Sequence, residues 1–88
     1  MGVKKDIRWL KEVDDRVDLF ALLAKRSPMK AKEIKEFLSA DDWWPVKQHI
    51  EALTKKDLIE EVDEGYQITE EGEKIFESLK TVYDIESV

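Results

Sequence analysis

The side chains of this chain that are best suited to chemistry are cations and indoles rather than nucleophiles. Lys30, Lys32 and Lys35 fall in residues 25–40, where five cations face two carboxylates for a net of +3. Lys47 and Gln48 follow a Trp43-Trp44-Pro45 run a short distance on. Ammonium groups neutralise phosphate, and an indole at the surface needs a partner to cover it. The whole chain carries −6, and residues 60–88 alone carry two cations and ten carboxylates, a net of −8. Nucleic-acid binding requires local rather than global positive potential, so this distribution permits it without demanding it.

The chemistry of catalysis is missing. His49 is the sole histidine and there is no cysteine, which removes a nucleophile triad, thiolate metal sites and disulfides. The three glycines, Gly2, Gly65 and Gly72, are too scattered to form a phosphate-cradling loop. No enzyme activity, metal or cofactor is expected. No apolar run reaches the roughly 18 residues that span a bilayer, and no signal-peptide pattern opens the chain, so no membrane association and a cytoplasmic location are expected. Charged residues make up 41% of the chain, Glu and Lys predominate and Asn is absent, a bias that resembles thermophilic proteins.

The elements that must position these residues centre on Val46–Phe76. Val46, Ile50 and Leu53 recur at helical spacing, and Lys55, Lys56 and Asp57 close that helix, expected over 44–57. Two short β-like runs, 58–62 and 66–69, are joined by Asp63-Glu64-Gly65, with Gly65 as the turn residue able to take φ > 0. Thr69 then caps a last helix, whose opening Glu70, Glu71 and Glu73 suit a positive N-terminal end.

The pattern Ile50, Leu53, Leu58, Ile59, then Gly65, Tyr66, Ile68, Thr69 and Gly72 resembles the winged helix-turn-helix superfamily, and most of all small archaeal and bacterial regulators of the MarR-like or Sso10a-like kind. The likeness covers about residues 15–83. It implies a mainly α fold with a small β-hairpin wing (α+β): a three-helix core over 15–76, an N-terminal helical extension over 1–14, and the end of a C-terminal helix with a tail over 77–88. It also implies double-stranded DNA as partner and a role in transcription regulation. The helix around 30–38 would cross the DNA backbone with Lys30 and Lys32 near phosphates. The next helix would enter the major groove, with Lys47 on guanine acceptors or a phosphate, Gln48 on adenine and Trp44 on a sugar-phosphate edge. Two features depart from the family's habit. The helix face is mixed, with Asp41, Asp42 and Glu51 among its cations, and the wing carries Glu60, Glu61, Asp63 and Glu64 with no basic residue.

The remaining helices read as supports or interfaces. Residues 3–13 place Val3, Ile7, Leu10 and Val13 on one stripe, with Trp9 off it, either on the domain's own core or against a partner. Asp14 and Asp15 offer an N-cap to a helix running to about Lys25, stopped before Ser27-Pro28. In the next helix Ile34, Phe37 and Leu38 are expected inward. Ile75, Phe76, Leu79, Val82 and Tyr83 line the last helix, whose end is suited to pairing with a second subunit. Trp9, Trp43, Val82 and Tyr83 are thus the candidate partner or homodimer residues. The competing reading is a protein-interaction module in which Trp43, Trp44 and the acidic wing meet a basic partner.

Overall fold

The structure is a computed structural model that describes residues 3–38 and 43–83, with Val3, Val82 and Tyr83 described by their backbone alone. Its order is α1 (Val3–Lys11), α2 (Asp14–Arg26), α3 (Ala31–Phe37), α4 (Trp43–Lys55), β1 (Ile59–Val62), β2 (Gly65–Ile68) and α5 (Glu70–Tyr83). The expected mainly α architecture with one hairpin is present. No helix is long and apolar enough to cross a membrane among the described residues.

Helix α2 is the hub, packed against α1, α4, α5 and β2. That breadth follows from its sequence: Val17, Leu19, Phe20 and Leu23 are all buried, more than one stripe can hold. Phe20 meets Phe76 of α5 edge-on, with ring centroids 6.1 Å apart. Ile7 and Leu10 of α1, Met29, Ile34 of α3, Val46, Ile50 and Leu53 of α4, Leu58, Ile59 of β1, and Ile75 and Leu79 of α5 join the core, and among the described residues no polar side chain is buried in it. Helix α1 packs on α2 and α5, so it lies on the domain's own core.

Three local expectations are corrected. Asp14 and Asp15 are not the N-cap of α2. Val13 holds that position in extended geometry without a side-chain cap, and the two aspartates occupy the first turn, where their charge favours the helix dipole. Phe37 is not inward: it is 53% exposed, and the Arg26 guanidinium lies over its ring at 4.5 Å. Helix α4 stops at Lys55, not residue 57, because Asp57 turns left-handed at φ 63°. The N–H groups of Asp57 and Leu58 then donate to the carbonyls of Thr54 and Leu53, closing the helix in a Schellman arrangement. Asp41 and Asp42, either of which has the residue type of an N-cap before α4, lie outside the described residues.

The wing is a two-stranded antiparallel hairpin with Ile59 opposite Ile68 and Val62 opposite Gly65. Its turn is therefore Asp63-Glu64, and Gly65 is the first residue of β2 rather than a turn residue. Glycine is still required there. Its φ is 131°, and a Cβ would come within 2.1 Å of the Met29 carbonyl oxygen. Met29 approaches so closely because it bridges Tyr66, exchanging N–H···O bonds of 2.9 and 2.8 Å. The segment between α2 and α3 is thus tied to the wing by a single antiparallel bridge.

Candidate nucleic-acid and partner interface

One face of α4 buries Val46, Ile50 and Leu53, and this fixes what the opposite face presents. Trp44, Lys47, Gln48, Glu51 and Lys55, at helical spacings of three and four, are all exposed. Trp44 is 59% exposed, and the Lys47 ammonium stands 5.9 Å from its ring centroid. Three of the five proposed nucleic-acid residues, Trp44, Lys47 and Gln48, thus share one surface strip. The strip carries a carboxylate, Glu51, one turn beyond Lys47.

Lys30 and Lys32 belong to a different part of the molecule. Lys30 precedes α3 in extended geometry, and its N–H donates to the Glu33 carboxylate at 2.9 Å. Since it follows Met29 directly, Lys30 lies against the start of β2: a Cβ on Gly65 would be 2.8 Å from the Lys30 Cα. Lys30 and Lys32 are both exposed, and Lys35 is half-buried. Lys30 therefore lies beside the turn end of the wing, where Val62 pairs with Gly65, while the wing's own positions Glu60, Glu61, Asp63 and Glu64 are exposed and acidic.

Between α4 and the wing runs a groove of about 340 Å³. Trp43, Ile50, Glu51 and Thr54 line it from α4, and Glu61 and Tyr66 from the hairpin, with Lys47 and Lys55 at the helix side. Glu61 and Tyr66 are directly cross-strand. The Tyr66 phenol is pushed up from its ordinary value, first by burial and then by the fields of Glu61 and Glu51, so both carboxylates act on one hydroxyl. The sequence placed Tyr66 in the hairpin but did not reveal this groove, because the juxtaposition depends on how the hairpin folds back on α4. Trp43 is half-buried on the core and Trp44 points out.

Trp9 is half-buried and packed on the core. The Arg16 guanidinium lies over its ring at 4.1 Å and the Lys56 ammonium at 4.9 Å. Arg16 also donates through Nη1 to the Trp9 carbonyl. Trp9 is thus held chiefly by its own chain. The side chains of Val82 and Tyr83 lie outside the described residues. His49 is half-buried, and its pKa is lowered first by burial and then by Arg16, with Asp15 opposing. No group of three or more metal-ligating side chains is found among the described residues.

Residues 30–87 match the winged helix-turn-helix family, from the start of α3 past the end of α5. No curated protein sequence matches the chain significantly. Among solved structures, the activation domain of the phage T4 transcription factor MotA is similar, with a TM-score of 0.75 over 98% of this chain and 94% of that one, at 24% identity. At that identity the likeness speaks for the fold. With a hairpin wing packed behind a helix-turn-helix pair and two thirds of its length matched, the chain belongs to the winged helix-turn-helix family.

Proposed function

We propose that this chain is a transcription-related module that binds duplex DNA with α4 in the major groove. The observation that carries the proposal is the exposed strip Trp44, Lys47, Gln48 on the face of α4 opposite its buried stripe. Lys47 and Gln48 would reach base edges, and Trp44 would lie along a sugar-phosphate edge. Lys30 and Lys32 would neutralise backbone phosphates from beside the wing. The family membership supports the DNA-binding part, and the transcription-factor origin of the MotA domain supports the transcription-related part. The module acts by binding, without catalysis or cofactor, in the cytoplasm, and as a homodimer paired through the end of α5 at Val82 and Tyr83. Its acidic wing is held off the duplex.

The test is a titration with a labelled random duplex of ~20 bp, about two helical turns, at low and physiological salt. Binding that falls steeply with salt, quenches tryptophan emission, and is abolished by Lys30→Glu with Lys32→Glu supports the reading. Unchanged affinity in that double variant, or no binding at low salt, refutes it. Sedimentation at the same concentrations tests the dimer.

A further inference from the structure

We infer that the groove between α4 and the wing is a docking site for a basic segment of a protein partner, holding a lysine or arginine side chain between Glu51 and Glu61. The inference goes beyond duplex binding and does not rest on it. Three observations converge. The groove has an apolar and aromatic lining, Trp43, Ile50 and Tyr66, suited to the aliphatic stem of a long cationic side chain. Two carboxylates from different elements face it, and neither Glu51 nor Glu61 forms an ion pair within 4.0 Å among the described residues. The surface continuing outward from Glu61 is the acidic hairpin, which has no cation of its own to offset Glu60, Asp63 and Glu64.

Charge complementarity selects the occupant. An anionic ligand would meet both carboxylates, and a purely apolar one would strip water from them without return. A cationic side chain gains the carboxylates and the faces of Trp43 and Tyr66 together. Lys47 and Lys55 line the helix side of the groove, but neither ammonium comes within 4.0 Å of Glu51 or Glu61 among the described residues, and that of Lys47 stands over Trp44, so the position between the two carboxylates is left to a cation of the partner. The volume of about 340 Å³ accommodates one such side chain and part of its backbone, not a folded domain.

The experiment is a titration of the full chain with a blocked octapeptide alternating lysine and leucine, followed by amide and indole NMR shifts in the absence of DNA. Saturable shifts centred on Trp43, Glu51, Glu61 and Tyr66 are expected. Glu51→Gln with Glu61→Gln should weaken binding at least fivefold, and Glu70→Gln with Glu71→Gln, an equally acidic pair at the start of α5, should leave it unchanged. The same peptide with norleucine for lysine should not bind. All four glutamates are exposed, so both variants keep the fold, which circular dichroism verifies. No saturation, a loss below fivefold in the groove variant, or an equal loss in the α5 variant overturns the inference. Because no duplex is present, failure here leaves the DNA proposal standing, and the converse also holds.

Discussion

Gly72 sits so close to Leu58 that a Cβ built on it would lie 2.2 Å from the Leu58 carbonyl oxygen and 2.6 Å from Cγ1 of Ile68. In an ordinary helix Gly→Ala stabilises by roughly 0.5–1 kcal/mol. Here the first turn of α5 abuts the entry to the wing, and the sign reverses. Gly72→Ala is expected to destabilise by about 2 kcal/mol or more, read as a lowered urea midpoint with unchanged slope. A stabilised variant would show that α5 does not press on Leu58 as described.

Thr69 ties the same corner from the other side. Its hydroxyl accepts the Gly72 N–H at 2.9 Å and donates to the Asp57 carbonyl at 2.6 Å, while its own N–H donates to Leu58 at 3.1 Å. Thr69→Ala removes both hydroxyl bonds and should cost about 1–2 kcal/mol. Thr69→Ser keeps them and should recover most of the loss in the same urea series. Equal losses in the two variants would assign the effect to the methyl group.

Asp57 occupies left-handed geometry, φ 63°, at the position after α4 where glycine is usual. Its side chain is exposed and has no resolved role, so Asp57→Gly should stabilise by about 1 kcal/mol by relieving the Cβ penalty. A thermal melt distinguishes this from Asp57→Ala, which retains the penalty and should not stabilise.

The corner formed by these residues explains what was legible in the sequence. Thr69 was readable because few residue types cap a helix, and the Val46, Ile50, Leu53 stripe because a single face of α4 is buried, whereas Gly72 stood in the pattern without its close approach to Leu58 being visible. The positive φ of Gly65 was legible, but its place in β2 and the second constraint on it, the close approach of Met29 some 36 residues away in the chain, were not. Phe37 misled because periodicity assigns a face but not what covers it, and Arg26 covers it from the end of α2. The groove was illegible for the same reason. Its α4 side follows helical spacing, but Tyr66 and Glu61 reach it only through the hairpin's register and packing.

The acidic wing bears on the DNA proposal directly. Asp63 and Glu64 form the hairpin turn, are exposed, and would lie near phosphate if the wing swung towards a duplex bound on α4. Asp63→Lys with Glu64→Lys should raise affinity for a random duplex about tenfold at low salt and steepen the salt dependence, as added cations do. An unaltered affinity and slope would mean that repulsion by Asp63 and Glu64 is not what holds the wing off the duplex.

His49 links stability to pH with a definite sign. Burial lowers its pKa below the ordinary 6.5, the Arg16 guanidinium lowers it further, and Asp15 opposes. The unfolded chain therefore holds the proton more tightly, and just below pH 6.5 it binds more protons than the folded chain. The contribution is whole above pH 6.5 and is lost as pH falls through the lowered value. Asp18 acts with the opposite sign. Burial, then Asp14 and Asp15, raise its pKa, so its contribution is present below 3.8 and fades as pH rises through the raised value. Wild-type protein should thus unfold at lower urea at pH 5.5 than at pH 7.5, and His49→Gln should narrow that gap. Arg16→Gln should raise the His49 pKa measured by NMR, and Asp15→Asn should lower it. A His49→Gln variant with the full wild-type gap would place the proton-linked step elsewhere, and an unmoved His49 pKa in Arg16→Gln would leave burial as its sole cause.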